Sequence, residues 1–230
     1  MKTPLSTEPL FTLGPVAISE PVVVTWALMA LLTLGCLLLT RRLSLQPSGL
    51  QAALETVVEA IDGQIRDVMG AEPGPYRSFV GTLFVFILLA NWSSLVPGVE
   101  PPTAHLETDA ALAVLVFFAV IVFGIRANGV VGYLKSFAAP AIFMFPLNLV
   151  ETVTRSLSLL VRLFGNVMSG VFVVGIVLSL AGLFVPIPLM ALDLLTGAVQ
   201  AYIFAVLAAV FIAGTVAEGR PHGAPSPEAS

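Results

Sequence analysis

Six polar side chains recur at helical spacing inside one of the longest apolar stretches of the chain. Glu151, Arg155, Ser158, Arg162, Asn166 and Ser169 follow one another at steps of four, three, four, four and three, which places all six on one face of an α-helix. Most other residues of the stretch are Leu, Val, Phe, Ile and Gly. Such a stripe must look onto protein or water, because unpaired polar groups are strongly disfavoured in hydrocarbon. Arg162 is its sharpest member. It sits in LVRLFGNV with no acid within a helical turn, and an Arg at mid-membrane costs about 2.5–3.5 kcal/mol on insertion scales. Its counter-charge must come from another helix or chain. Guanidinium keeps its proton in proteins, so Arg suits a site where positive charge must persist. The alternative is packing, with the guanidinium held against backbone carbonyls.

A sparser version of the pattern lies further on, where Asp193, Thr196, Gly197 and Gln200 share a face. Asp193 is the only acid in that run before Glu218. A carboxyl group in a low-dielectric site can hold and release a proton near neutral pH when water reaches it. The competing reading for Asp193 is an interhelical hydrogen bond to Thr or Ser. For Gln200, polar glue between helices competes with a role beside Arg162. Gly165, Gly170, Gly175 and Gly182 give the first stretch small surfaces that would let another helix approach closely.

The elements that carry these residues are membrane helices. The chain has 230 residues, 57% of them hydrophobic and 10% charged, with a mean hydropathy of +1.00, far outside the soluble globular range. Residues 22–40 carry no charge and meet the roughly 20 residues needed to cross a bilayer. Further spans are expected at about 79–95, 110–125, 146–182 and 186–217. As continuous helices the last two would be about 55 and 48 Å long, against a hydrocarbon core of about 30 Å. They read as a long, strongly tilted hairpin broken at Phe184–Pro188. Residues 49–69 mix helically spaced Leu, Val and Ile with Glu55, Glu59, Asp62, Arg66 and Asp67, too much charge to span, so a helix on the cytoplasmic membrane surface is expected there. The fold class is thus an all-α membrane protein with about five spans in a single membrane domain over 22–217. An external N-terminal segment occupies 1–21, and the Pro-rich 218–230 is expected to be a disordered cytoplasmic tail.

Charge bias orients the chain. Arg41-Arg42, Arg126 and Lys135 fall at span ends assigned to the cytoplasm, while the loop GVEPPTAHLETD is acidic and free of Lys and Arg, as suits an external loop. The N-terminus is then outside and the C-terminus inside. A net charge of −4 gives no basic surface for nucleic acid. One cysteine, Cys36, and two histidines leave no disulfide framework and no metal centre, and Cys36 reads as a packing residue. There is no Walker A sequence, so no catalytic residue and no cofactor is expected in this chain. A secondary cation transporter would also use membrane Arg, Asp and Glu, but such proteins show repeats and broken mid-membrane helices that are not evident here. A membrane scaffold would need no polar stripe.

SLSLLVRLFGNVMSG (156–170) resembles the R-L-F-G-N motif of the a subunit of rotary ATP synthases, the ATPase A chain family of the Fo sector. QAYIFAVLAAVF (200–211) is similar to the Gln-aromatic stretch of the family, and PLNLVETVTR, PPTAHLETDAALAV and NWSSLVPG follow its order. The resemblance implies that Arg162 faces the rotating ring of c subunits, where two offset half-channels for H⁺ or Na⁺ meet the ring carboxylate. It implies a b-subunit peripheral stalk, the other synthase subunits and membrane lipid as partners, and a bacterial plasma membrane as the location. By position, Asn166, Gln200 and Ser158 match polar residues flanking the Arg. Asp193 stands where members carry His, Gly or Glu, Val171 where many have Glu, and His105 where Asp is frequent. Asn148 replaces a common acid, with Glu151 one turn further on. The resemblance therefore makes Asp193 the candidate for the outer half-channel and Glu151 for the inner one, with Arg155, Asn148, His105 and Glu107 as possible channel or loop residues.

Overall fold

The computed structural model describes residues 9–13, 16–41, 49–96, 99–137, 145–181 and 185–218. A short antiparallel hairpin of β1 (Pro9–Leu13) and β2 (Val16–Ser19) leads straight into α1 (Glu20–Thr40). It adds a strand pair, in the segment expected to lie outside the membrane, to a chain expected to be all-α. The other described residues are helical or in turns: α2 (Gly49–Met69), α3 (Gly74–Trp92), 3₁₀ turns at Ser93–Leu95 and Pro102–Ala104, α4 (Leu106–Phe137), α5 (Phe145–Ala181) and α6 (Pro186–Glu218). Five helices are long and apolar enough to cross a membrane, over Glu20–Thr40, Gly74–Leu95, Leu106–Leu134, Pro146–Leu180 and Ile187–Ala217. The tail expected at 218–230 lies, apart from Glu218, outside the described residues, as do residues 1–8, Arg42, Gly182 and Phe184.

Helix α6 is the hub, packed against α2, α3, α4 and α5. Lipid tails are as apolar as Leu, so membrane helices gain little from excluding water and associate through close packing of small residues. The buried face of α6 follows that logic: Gly197, Ala201, Ala205, Ala208 and Ala209 alternate with the fully buried Phe204 and Ile212. Leu83 and Ile87 of α3, Val116 and Val120 of α4, and Leu159, Leu163 and Val167 of α5 complete the core. By contrast α1 is peripheral, and Cys36, expected to pack, is exposed on it because its helix has so few neighbours.

Helix α2 lays Ile65 against Val80, Ala205 and Ala209. Asp62 of α2 accepts from both Nε (2.6 Å) and Nη2 of Arg77 on α3, a bidentate charge-assisted pair. The Tyr202 hydroxyl of α6 donates to Gln64 Oε1 at 2.6 Å. Helix α4 extends beyond the expected 110–125 and reverses at Gly129, whose φ of 71° and ψ of 165° interrupt the helix. The reversal folds the Tyr133 ring onto Gly124, where a Cβ would come 2.6 Å from the ring. Asn128 Nδ2 donates to the Thr215 carbonyl of α6 at 2.8 Å and fixes the bend.

Candidate functional site

Helix α5 buries Leu159, Leu163 and Val167 against the core, and the face about a quarter turn away, along the edge next to α6, is largely turned out from the chain. That face carries the stripe: Glu151, Arg155, Ser158, Arg162 and Ser169 are exposed and Asn166 is half-buried. Among the described residues no hydrogen bond or ion pair reaches Arg162. Glu151 and Arg155 form an i, i+4 ion pair, and the Arg155 guanidinium also lies 5.5 Å from the centre of the Phe211 ring on α6, a cation–π distance. Asn148 is half-buried one turn before Glu151, and its carbonyl accepts from the Thr152 hydroxyl at 2.9 Å.

The structure brings Asp193 to the stripe. A groove of about 200 Å³ between α5 and α6 is lined by Asn166, Ser169, Gly170, Asp193 and Thr196 with Val173, Val174, Leu189 and Leu192. The Asp193 carboxylate occupies the space that a side chain on Gly170 would take. The Thr196 hydroxyl donates to the Asp193 backbone carbonyl at 3.0 Å, and among the described residues no hydroxyl serves the carboxylate itself. Of the glycines expected to admit a neighbour, Gly170 does so. Gly165 and Gly175 have nothing within 4 Å of where a Cβ would stand. Gln200 turns away from the groove into the core, where its Nε2 has no partner, and the Asn166 Nδ2 is likewise buried and unpaired among the described residues.

A second polar cluster sits at the end of the bundle where α3 connects to α4, in the acidic loop expected to be simply external. Pro101, Pro102, Thr103, Ala104 and His105 are all buried, because the 3₁₀ turn at Pro102–Ala104 packs against α1, α3, α4 and α5. Thr103 Oγ1 donates to Asn91 Oδ1 at 2.7 Å, and Asn91 Nδ2 donates to the Gly197 carbonyl at 2.8 Å. Trp92 Nε1 reaches the Leu194 carbonyl at 3.1 Å. His105 Nε2 lies 3.4 Å from Glu100 Oε2, while Glu107 is exposed. Asp109 is fully buried. Neither Asn91 nor Asp109 stands out from sequence alone as a site residue. The buried 3₁₀ turn could have been suspected from the Pro-Pro at 101–102, which stiffens the loop against open solvent.

These features define a polytopic helical membrane protein with ionisable groups arranged along and between its spans. The sequence pattern of the ATP synthase A chain family matches residues 22–213. The chain is 55% identical over 220 residues to ATP synthase subunit a 2 of Bradyrhizobium sp. (strain BTAi1), covering 94% of this chain and 99% of that protein. It is 47% identical to ATP synthase subunit a of Albidiferax ferrireducens, covering 92% and 93% of the two chains. With ATP synthase subunit a 2 of Pelobacter propionicus it shares 46% identity over 92% of each chain. The chain belongs to the ATP synthase A chain family.

Proposed function

We infer that the chain works as the ion-conducting, non-catalytic stator subunit of an F-type ATP synthase, with Arg162 facing the carboxylates of a rotating c-subunit ring. The observation that carries this reading is the exposed guanidinium of Arg162 on α5, which has no partner among the described residues. A cation there is tolerable only opposite an anion supplied by another chain. It draws a passing ring carboxylate into its ionised form and blocks direct leak between two aqueous half-channels. Each charge that crosses is then worth about 2.3 kcal/mol per 100 mV.

The groove at Asn166, Ser169 and Asp193 suits the outer half-channel, with His105 and Glu107 at its approach. Glu151, Asn148 and Arg155 suit the inner one, and Ser158 and Gln200 flank the Arg. Arg41, Arg77 and Arg126 fall at one end of α1, α3 and α4, and Glu100 and Glu107 at the other. That bias favours an outside N-terminus, a cytoplasmic C-terminus and α2 on the cytoplasmic surface of a bacterial plasma membrane. The exposed flank of α1 is left for lipid and the b-subunit stalk.

The test compares Arg162→Ala with wild type in the reconstituted complex, reading ATP-driven pumping and passive leak at fixed membrane potential. Lost pumping from an assembled complex, with a raised leak, is expected. Normal pumping overturns the reading.

A further inference from the structure

The buried outer cluster contains an acid that the packing leaves with nothing to bind. Asp109, one turn into α4, has no exposed surface, and among the described residues neither carboxylate oxygen has a hydrogen-bond partner. His105, four residues earlier at the start of the same helix, is 8% exposed, and among the described residues neither ring nitrogen makes a hydrogen bond. Its Nε2 approaches Glu100, whose side chain is 61% exposed. Exposure thus falls stepwise from Glu100 through His105 to Asp109. Beside them the Thr103–Asn91–Gly197 hydrogen-bond chain runs on to α6, one turn from Asp193. A fully buried, unpaired carboxylate is far costlier than the neutral acid. A structural carboxylate would have been given donors.

We propose that Asp109 and His105 form a proton-holding station at the outer end of the bundle, between the Glu100 surface and the α5–α6 groove. This rests on the ion-conducting reading above. At rest Asp109 holds a proton as the neutral acid; when it gives that proton up toward the α5–α6 groove, its carboxylate is free to take the next one. A proton arriving from outside adds to the unprotonated Nε2 of His105, and the proton on Nδ1 leaves to the Asp109 carboxylate. The N–H bond at Nδ1 breaks as the O–H bond forms, and the imidazole is neutral before and after. The two side chains make no direct hydrogen bond, so the transfer is relayed by water, which takes the Nδ1 proton as it gives one of its own to the carboxylate.

The experiment uses the complete complex in liposomes, with ATP-driven acidification read by a pH dye and assembly read from the amount of complex retained. Asp109→Asn keeps the shape and removes the titratable proton; it is expected to slow pumping about a hundredfold, the lower end of the scale of a lost proton-transfer group, while Asp109→Glu retains most of the rate. Wild-type rates in Asp109→Asn overturn the proposal, and so does equal loss in both variants, which would mark a requirement of shape. If Asp109→Asn does not assemble, the infrared spectrum of wild type against Asp109→Glu decides: a neutral-acid carbonyl band that shifts supports the station, and an unshifted spectrum overturns it. A complex that moves Na⁺ and lacks that band also overturns it. Arg162→Ala is run in parallel. Normal pumping by Asp109→Asn alone sinks this proposal and spares the stator reading, whereas normal pumping by Arg162→Ala sinks the stator reading.

Discussion

The Asp193 carboxylate of α6 stands in the place of a missing side chain on Gly170 of α5: a Cβ built at Gly170 would come 1.9 Å from Asp193 Oδ1. The glycine is therefore what allows an acid to reach the groove shared with Asn166 and Ser169. Gly170→Ala is expected to push Asp193 out of position or spread α5 from α6, at a cost of about 1–3 kcal/mol for overpacking. Thermal release of the subunit from the complex should move to lower temperature, and pumping should fall. Adding Asp193→Ala removes the clash, so the double variant should regain stability without regaining conduction. If the double variant pumps normally, Asp193 carries no ion.

Asn91 ties three elements together, donating to the Gly197 carbonyl of α6 and accepting from Thr103 in the buried turn. Asn91→Leu leaves the buried Thr103 hydroxyl without its acceptor and removes the second hydrogen bond on the helical Gly197 carbonyl, a loss of about 1–3 kcal/mol. Removing the second polar group as well, in Asn91→Leu with Thr103→Val, should cost less than the sum of the two single changes. Amide hydrogen exchange over residues 99–105 measures this, and additive losses would show that the two side chains do not act as a pair.

Gly129 sits at φ 71° and ψ 165°, a region open essentially to glycine alone. Gly129→Ala is expected to cost about 1–3 kcal/mol and to loosen the contact between Asn128 and Thr215, read as faster amide exchange over 126–137. Gly35→Ala provides the control. That glycine lies within α1 with nothing within 4 Å of a Cβ, so the change should be neutral or stabilising through helix propensity.

What could be read from sequence follows from the range of each interaction. The stripe through Arg162 is legible because its period lies within one helix, and the five long apolar helices are legible from length and composition. The meeting of Gly170 with Asp193 is not, since the register between two long helices depends on side chains spread over both. The reversal in α4 had a local signal, Asn128-Gly129, a turn dipeptide inside an otherwise apolar run that reads more simply as one helix and its exit. Asp109 was hidden for the opposite reason. An acidic loop free of Lys and Arg suggests solvent, and only the packing of Pro102–Ala104 among four helices reveals that the acid following it is buried.

Asp62, on α2 outside the spans, pairs with Arg77 at the first turn of α3 and holds the two helices together, and its pH response has a definite sign. The hydrogen bonds from Arg77, more than its charge or that of Arg66, hold the Asp62 carboxyl below its ordinary value of 3.8. A carboxylate with a lowered pKa in the docked state contributes stability above its undocked pKa and loses it as pH falls through the docked value. Docking of α2 should therefore be constant around neutral pH and weaken in the acid range, from about pH 4 downward. The Arg77 side chain is 47% exposed, so solvent screening keeps the effect modest. Amide exchange of residues 49–69 in the intact complex, started after brief incubation at a series of pH values, should show an acid-induced loosening in wild type. In Asp62→Asn the loosening should already be present at neutral pH and change little on acidification. An undiminished acid step in Asp62→Asn would assign the response to another carboxylate of α2, with Glu59 and Asp67 the next to substitute.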